Sequence, residues 1–313
     1  MPPILGYRPN FISSLLQVNL PVLNDEQKSD LVSHDDEWEW KYKHYSLAMC
    51  KSRKLAFYTA SNLNGKLFKS VKRASLFPSG NDEWKNDSRF KNHQWGIELY
   101  KAQKSDFDRG HLVKREDTQW GYTKNDAKNA ALDTFHYSNC APQLPELNQK
   151  KWENLEFYIL KKETVQYKLK VNVFTGPVLN LSDPHFVTIV DQQQIKLPVL
   201  FWKVIYYSGD GKQLKIVAFL MGQETLMRQK GIIGEARTRL LNEHFQNFED
   251  AETYQVNIKT IEQLTGLTFQ KAFEPYVDPR PMKILLSDIQ VRDGFSMDEN
   301  PMIDEFEYSG ISL

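Results

Sequence analysis

Runs of apolar residues, and the spacing within them, organise the 313-residue chain before any chemistry is considered. From Tyr45 to Ala60 two short apolar runs flank Lys51-Ser52-Arg53-Lys54, a pattern that predicts a β-hairpin with a charged turn. Residues 168–175, 199–207 and 215–221 are dense in Val, Ile and aromatic side chains and read as strands. The last two are joined by Ser208-Gly209-Asp210-Gly211, a hairpin turn. Helical spacing occurs in fewer places. Thr123–Asp133 predicts a short helix, and Trp152, Leu155 and Ile159 recur at helical intervals within 147–162. Residues 253–269 read as a strand followed by a helix that stops at Gly266. Residues 65–95 are polar, with Pro78-Ser79-Gly80-Asn81-Asp82 marking a surface loop. There is no internal repeat. Strands scattered among single helices, without a regular βαβ alternation, predict an α+β fold around a largely antiparallel central sheet flanked by helices.

The ends are less patterned. Residues 1–40 hold an extended apolar stretch from Phe11 to Leu23, then acidic Asp35-Asp36-Glu37 between His34 and the pair Trp38 and Trp40. They are expected to form an N-terminal arm. Residues 41–272 carry the main domain, and 273–313, acidic from Asp298 to Glu307, an extension packed on it.

Composition acts mainly by exclusion. With 41% hydrophobic and 26% charged residues, the chain can bury an ordinary globular core. Cys50 and Cys140 supply neither a disulfide framework nor a CxxC pair. No apolar run approaches the roughly eighteen residues of a membrane span. The first residues lack a basic segment followed by an apolar one, so the chain as it stands is expected to be cytoplasmic, or secreted or exported if a leader has been removed. Forty basic and forty acidic side chains cancel, so attraction to a polyanion must be local. Lys66, Lys69, Lys72 and Arg73 form one basic cluster, and Lys101, Lys104, Arg109, Lys114 and Arg115 another. Such groups are either solvated surface charge or the lining of a phosphate groove. The spacings of a P-loop, a GxSxG elbow and an HExxH helix are all absent.

Two polar clusters carry the candidate chemistry. The first is Asp108-Arg109-Gly110-His111. A neutral imidazole, with its ordinary pKa of roughly 6.5, can take a proton from water near neutral pH, which makes His111 the natural general base. Arg109 offers a planar fork for phosphate oxygens. Gly110 is expected to let the backbone turn sharply so that both neighbours reach a substrate. Asp108 is expected to orient Arg109 or His111 by hydrogen bonding, although an internal Asp108–Arg109 ion pair fits these four residues equally well. The second cluster runs from Ser138 and Asn139 through Gln143 to Asn148 and Glu156. Spacings of four place Asn148, Trp152 and Glu156 along one helix face. There the Asn148 amide oxygen can meet a hard cation and Glu156 can reach the same ion through water. Mg²⁺ suits that arrangement because it keeps most of its waters. Together the clusters hold the parts needed to hydrolyse a phosphodiester.

These motifs, in this order, resemble the DNA/RNA non-specific endonuclease family with its ββα-metal motif, the group that includes endonuclease G. The match comprises Asp108 to His111, Ser138-Asn139 with Ala141-Pro142-Gln143, Asn148 with Trp152, Leu155 and Glu156, then Val173 to Pro177 and Phe201 to Val204, over roughly residues 40 to 270. The resemblance implies a ββα-metal nuclease fold and a Mg²⁺-dependent endonuclease acting on DNA, with RNA as a second substrate and Mn²⁺ as a substitute ion. It implies that His111 activates water and that Asn148 is the direct metal ligand, with Glu156 holding the metal's water shell. Asn139 would bind substrate or position the His111-bearing region. An upstream arginine would stabilise the transition state, with Arg73 its match and Arg53 and Arg89 as alternatives. A homodimer and a regulatory protein partner are both compatible with the family. The competing reading is a catalytically silent nucleic-acid-binding or scaffold protein that retains the fold. Every proposed catalytic position here holds the required residue type, which favours the enzyme.

Overall fold

The apolar runs pair edge to edge in the computed structural model, which describes residues 6–148, 155, 164–234, 248–286 and 308–309. In chain order the strands are β1 (Trp40–Tyr42), β2 (Tyr45–Met49), β3 (Ala56–Asn64), β4 (Asp108–His111), β5 (Cys140–Gln143), β6 (Lys170–Pro177), β7 (His185–Val190), β8 (Gln193–Lys196), β9 (Leu200–Tyr207), β10 (Lys215–Gly222), β11 (Tyr254–Val256) and β12 (Met282–Lys283). Eight of them form one sheet in the order β1-β2-β3-β6-β9-β10-β11-β12. Every neighbouring pair in it is antiparallel. β4 with β5, and β7 with β8, make two separate two-stranded ribbons. The α+β architecture with a large antiparallel sheet is therefore as expected.

Period-two alternation divides the sheet's side chains between two cores. Tyr45, Leu47, Val171, Val173, Phe201, Ile205, Val217 and Phe219 enter one core, together with Leu112, Val113 and Ala141 from beside and within the β4–β5 ribbon. Their strand neighbours Ala48, Phe174, Trp202, Val204, Tyr206, Ala218 and Leu220 enter the other. That second core also takes Tyr7, Val18 and Leu23 of the arm, Ile261 of a helix, and Phe186, Val190 and Ile195 of the β7–β8 ribbon. Burial on both faces is why the strands read in sequence as continuous apolar runs.

Two helices form where capping residues dictate. Thr123 closes a capping box with Asp126 at the start of the helix Lys124–Asp133. The helix Ile258–Thr265 starts at Asn257, whose Oδ1 accepts from the Thr260 N–H at 2.8 Å, and stops at Gly266 with φ +70°. The helix expected over 147–162 lies mostly outside the described residues; Leu155 within it is helical and buried in the ribbon-side core. The sheet also recruits residues read as peripheral. β1 begins inside the N-terminal 40 residues, and β12, beyond residue 272, supplies the far edge.

The two-residue link between β1 and β2 puts His44 at φ +73° with its ring stacked on Trp120 at 3.5 Å between centroids. Its Nδ1 lies 3.0 Å from the Thr118 carbonyl, and burial pulls the imidazole down to about 4. The unfolded chain takes up this proton near pH 6.5 and the folded chain does not until about pH 4, so the contribution to stability is complete above pH 6.5 and lost as pH falls toward 4. The loss is on the order of 2 to 3 kcal/mol. His44→Asn, which tolerates a positive φ, should flatten this acid-side decline when urea midpoints at neutral and weakly acidic pH are compared with those of the parent.

Gln223, wholly buried after β10, accepts from the Leu144 N–H at 2.9 Å and donates to the carbonyls of Pro142 and Pro198 at 3.0 Å each. It fastens the ribbon to the sheet. Gln223→Leu strands these groups without partners and should lower stability by on the order of 3 kcal/mol, read as a shift in urea midpoint.

Candidate active site

β4 pairs with β5 in the register Asp108↔Gln143, Arg109↔Pro142, Gly110↔Ala141 and His111↔Cys140. Alternation along β4 places Arg109 and His111 on one face and Asp108 and Gly110 on the other. Gly110 is part of an extended strand and makes no turn, contrary to expectation. It is needed for close approach: a Cβ there would lie 1.9 Å from Gln143 Oε1 and 2.3 Å from Gln143 Cδ.

Asn139, just before β5, is entirely buried. Its Oδ1 accepts from the Val113 N–H at 3.0 Å, and its Nδ2 donates to the carbonyls of Val113 and Thr134 at 2.9 Å each. A side chain so enclosed cannot touch a substrate, so the expected substrate contact gives way to the other role, fixing the segment that follows His111. Ser138 is anchored on the sheet edge. The Tyr42 hydroxyl donates to Asp87 and therefore accepts from Ser138 Oγ, 2.8 Å away.

The candidate arginines separate by what they already hold. Arg89 grips Asp87 through Nε at 3.0 Å and Nη2 at 2.6 Å. Burial pushes the Asp87 carboxyl up, but hydrogen bonds from Arg89 and Tyr42 outweigh it and hold the group below the usual range. Arg53, partly buried, pairs with Asp183 at 2.6 Å and also donates to the carbonyls of Asn180 and Lys196. Both guanidinium groups are structural. Arg73 pairs with Asp82 across the surface loop and is 61% exposed. Arg109 sits closer to the imidazole in the chain and in the strand, with its Cζ 5.6 Å from the Trp84 ring and an interaction with the Tyr137 hydroxyl.

Asn148 lies in a helical segment that begins at Pro145 and reaches back to β4, where its Nδ2 donates to Asp108 Oδ2 at 3.0 Å. An ionised carboxylate only accepts, so this bond selects the amide orientation and directs Asn148 Oδ1 away from Asp108. Asp108 thus orients the amide of the second cluster. Among the described residues, no group of three or more His, Cys, Asp or Glu side chains could hold an ion. Asn148 is therefore the one proposed metal ligand that can be placed, and its outward amide oxygen fits a hard cation that retains water. Glu156, assigned both catalytic and metal-binding roles, lies outside the described residues.

The surroundings of His111 were not legible as a site. Its ring lies 4.6 Å from that of Trp84 and 4.9 Å from that of Phe135, nearly perpendicular to the latter. Cys140, opposite His111, is buried beside the Tyr100 hydroxyl, and burial pushes its thiol up to about 12, which rules out a thiolate nucleophile near neutral pH.

Known proteins resemble this chain in sequence and in fold. The sequence model of the DNA/RNA non-specific endonuclease family matches residues 28–275. An uncharacterized protein of Sinorhizobium fredii is 35% identical over 193 residues, 59% of this chain and 27% of that protein. Human mitochondrial endonuclease G is 33% identical over 123 residues, 37% of this chain and 39% of the relative. A Nostoc nuclease is 27% identical over 178 residues, covering 55% of this chain and 54% of its own length. The chain thus spans between about a quarter and a half of these relatives. A solved EndoG/EndoGI complex contains a chain similar in fold, with a TM-score of 0.51 at 20% identity over 76% of this chain and 84% of that one. With its family match spanning most of the length and the ribbon motif in place, the chain belongs to the DNA/RNA non-specific endonuclease family.

Proposed function

We propose that the protein is a Mg²⁺-dependent, sequence-non-specific endonuclease that hydrolyses phosphodiester bonds in DNA and in RNA. The observation that carries this reading is the Asp108–Asn148 hydrogen bond, which turns a hard oxygen donor outward beside the strand that presents Arg109 and His111. His111 accepts the proton of the attacking water. Arg109 offsets charge on the phosphoryl oxygens as the transition state forms, and Arg73, ion-paired with Asp82, is the second cation assigned to this role. Asn148 holds the ion and Asp108 keeps its amide in the binding orientation, while Glu156 orders the surrounding water. The bound ion supplies Lewis-acid stabilisation of charge on the phosphate and the leaving oxygen, and Mn²⁺ serves in place of Mg²⁺.

These groups address phosphate, which carries no sequence information. Cleavage without base preference follows, on both kinds of backbone. The balance of charge over the whole chain means that affinity rests on the local basic residues and falls as salt rises. Restraint by a protein partner belongs to the same reading, since the structurally similar EndoG was solved in a complex described as showing its inhibition.

His111→Ala should slow nicking of supercoiled plasmid by about 100-fold or more with the circular dichroism spectrum unchanged; full activity would remove His111 from the role of base. EDTA should abolish cleavage and Mn²⁺ restore it. Asp108→Asn lets the Asn148 amide rotate, because its partner can then donate as well as accept. The Mg²⁺ concentration for half-maximal cleavage should rise about tenfold or more, and an unchanged titration would detach Asp108 from the metal site.

A further inference from the structure

Trp84 touches both groups assigned to the chemistry, yet neither the motif nor the proton transfer calls for a tryptophan. Its ring lies 4.6 Å from His111, 5.3 Å from Phe135 and 5.8 Å from Tyr137, and the Arg109 guanidinium stands 5.6 Å from its centroid. Phe135 meets the imidazole edge to face at 4.9 Å and 88°, so the His111 ring has an aromatic wall on each of two sides. The backbone fixes where the indole sits. The Lys85 N–H donates to the Phe135 carbonyl and the Tyr137 N–H to the Lys85 carbonyl, both at 2.9 Å, strapping the Trp84 segment alongside 135–137.

We propose that Trp84 is a positioning residue: its indole and the ring of Phe135 form a slot that sets the rotation of the His111 imidazole, and the same indole sets the place of Arg109. Imidazole torsions of this kind are broad and roughly two-fold when nothing restrains them. A general base acts only when a ring nitrogen lies within hydrogen-bond reach of its water, and misplacement by about 1 Å can cost on the order of 100-fold in rate. Arg109 rests on the indole through a cation–π contact, so one side chain fixes the spacing between the base and the cation. Trp84 is only partly buried and lies at the rim of the small cluster around Leu76, Phe77 and Ala127, outside both main cores, so its removal spares the sheet.

The inference rests on His111 being the base, and the experiment separates the two. Steady-state cleavage of a short single-stranded oligonucleotide is measured for the parent, Trp84→Leu, Trp84→Phe and His111→Ala. Trp84→Leu should lower kcat by about 30-fold or more while KM stays within about threefold, and Trp84→Phe should recover most of the loss. A kcat within about twofold of the parent overturns the proposal, as does a rise in KM alone, which would make Trp84 a surface for stacking substrate. In the unaltered protein, proton NMR should find the His111 ring resonances, assigned by their loss in His111→Ala, shifted upfield by the adjacent aromatic rings and moving back in Trp84→Leu. Ordinary shifts in the parent overturn the slot even if Trp84→Leu fails to fold. Full activity of His111→Ala instead overturns the assignment of the base, whatever the Trp84 variants show.

Discussion

The register of β4 against β5 is the constraint on which the site depends. The paired strands are four residues long, and a slip of one residue would carry Arg109 and His111 to the face now occupied by Asp108 and Gly110. So short a ribbon does not hold its own alignment. Three contacts hold it here. Gln143 nests over Gly110, the Asn139 amide closes on both backbone groups of Val113, and Gln223 takes the backbone of Pro142 and Leu144 on either side of Gln143. The accuracy of the candidate site thus comes from buried side-chain amides: those of Asn139 and Gln223 bond backbone, and that of Gln143 packs against Gly110.

Charge is divided in a corresponding way. Arg53 and Arg89 spend their donors on Asp183, Asp87 and nearby carbonyls, which stitches loops to the sheet. Lys230 bridges Asp106 and Glu146, joining the segments that lead into β4 and into Asn148. The described cations of these segments are thus committed to carboxylates and carbonyls, and in an electrically balanced chain the position of a cation matters more than its number.

Much of the fold was legible because its strands are buried on both faces and so stand out as dense apolar runs, and because Thr123, Asn257 and Gly266 announce helix ends. The β7–β8 ribbon was missed although Phe186 to Val190 are all strand-forming types: Val187 and Ile189 face solvent and Gln193 and Gln194 precede Ile195, so no long apolar run marks it. β1 and β12 are too short to carry a pattern and exist because longer neighbours present an edge to them. In the site, Asp108, Arg109, His111 and Asn148 could be named from spacing. The direction of the Asp108 bond, the enclosure of Asn139 and the aromatic rings around His111 could not, since each depends on segments that meet only in three dimensions. Gly110 shows the difference clearly: a glycine that spacing alone assigns to a bend is instead required by a side chain from the opposing strand.

Neighbouring residues on β9, such as Phe201 and Trp202, belong to different packing environments, one shared with the ribbon and the other with the arm. A single layer of backbone acts as a partition between them. The partition is bridged where Phe107, just before β4, and Leu144, just after β5, enter the arm-side core, so a change in that core reaches the ribbon through them.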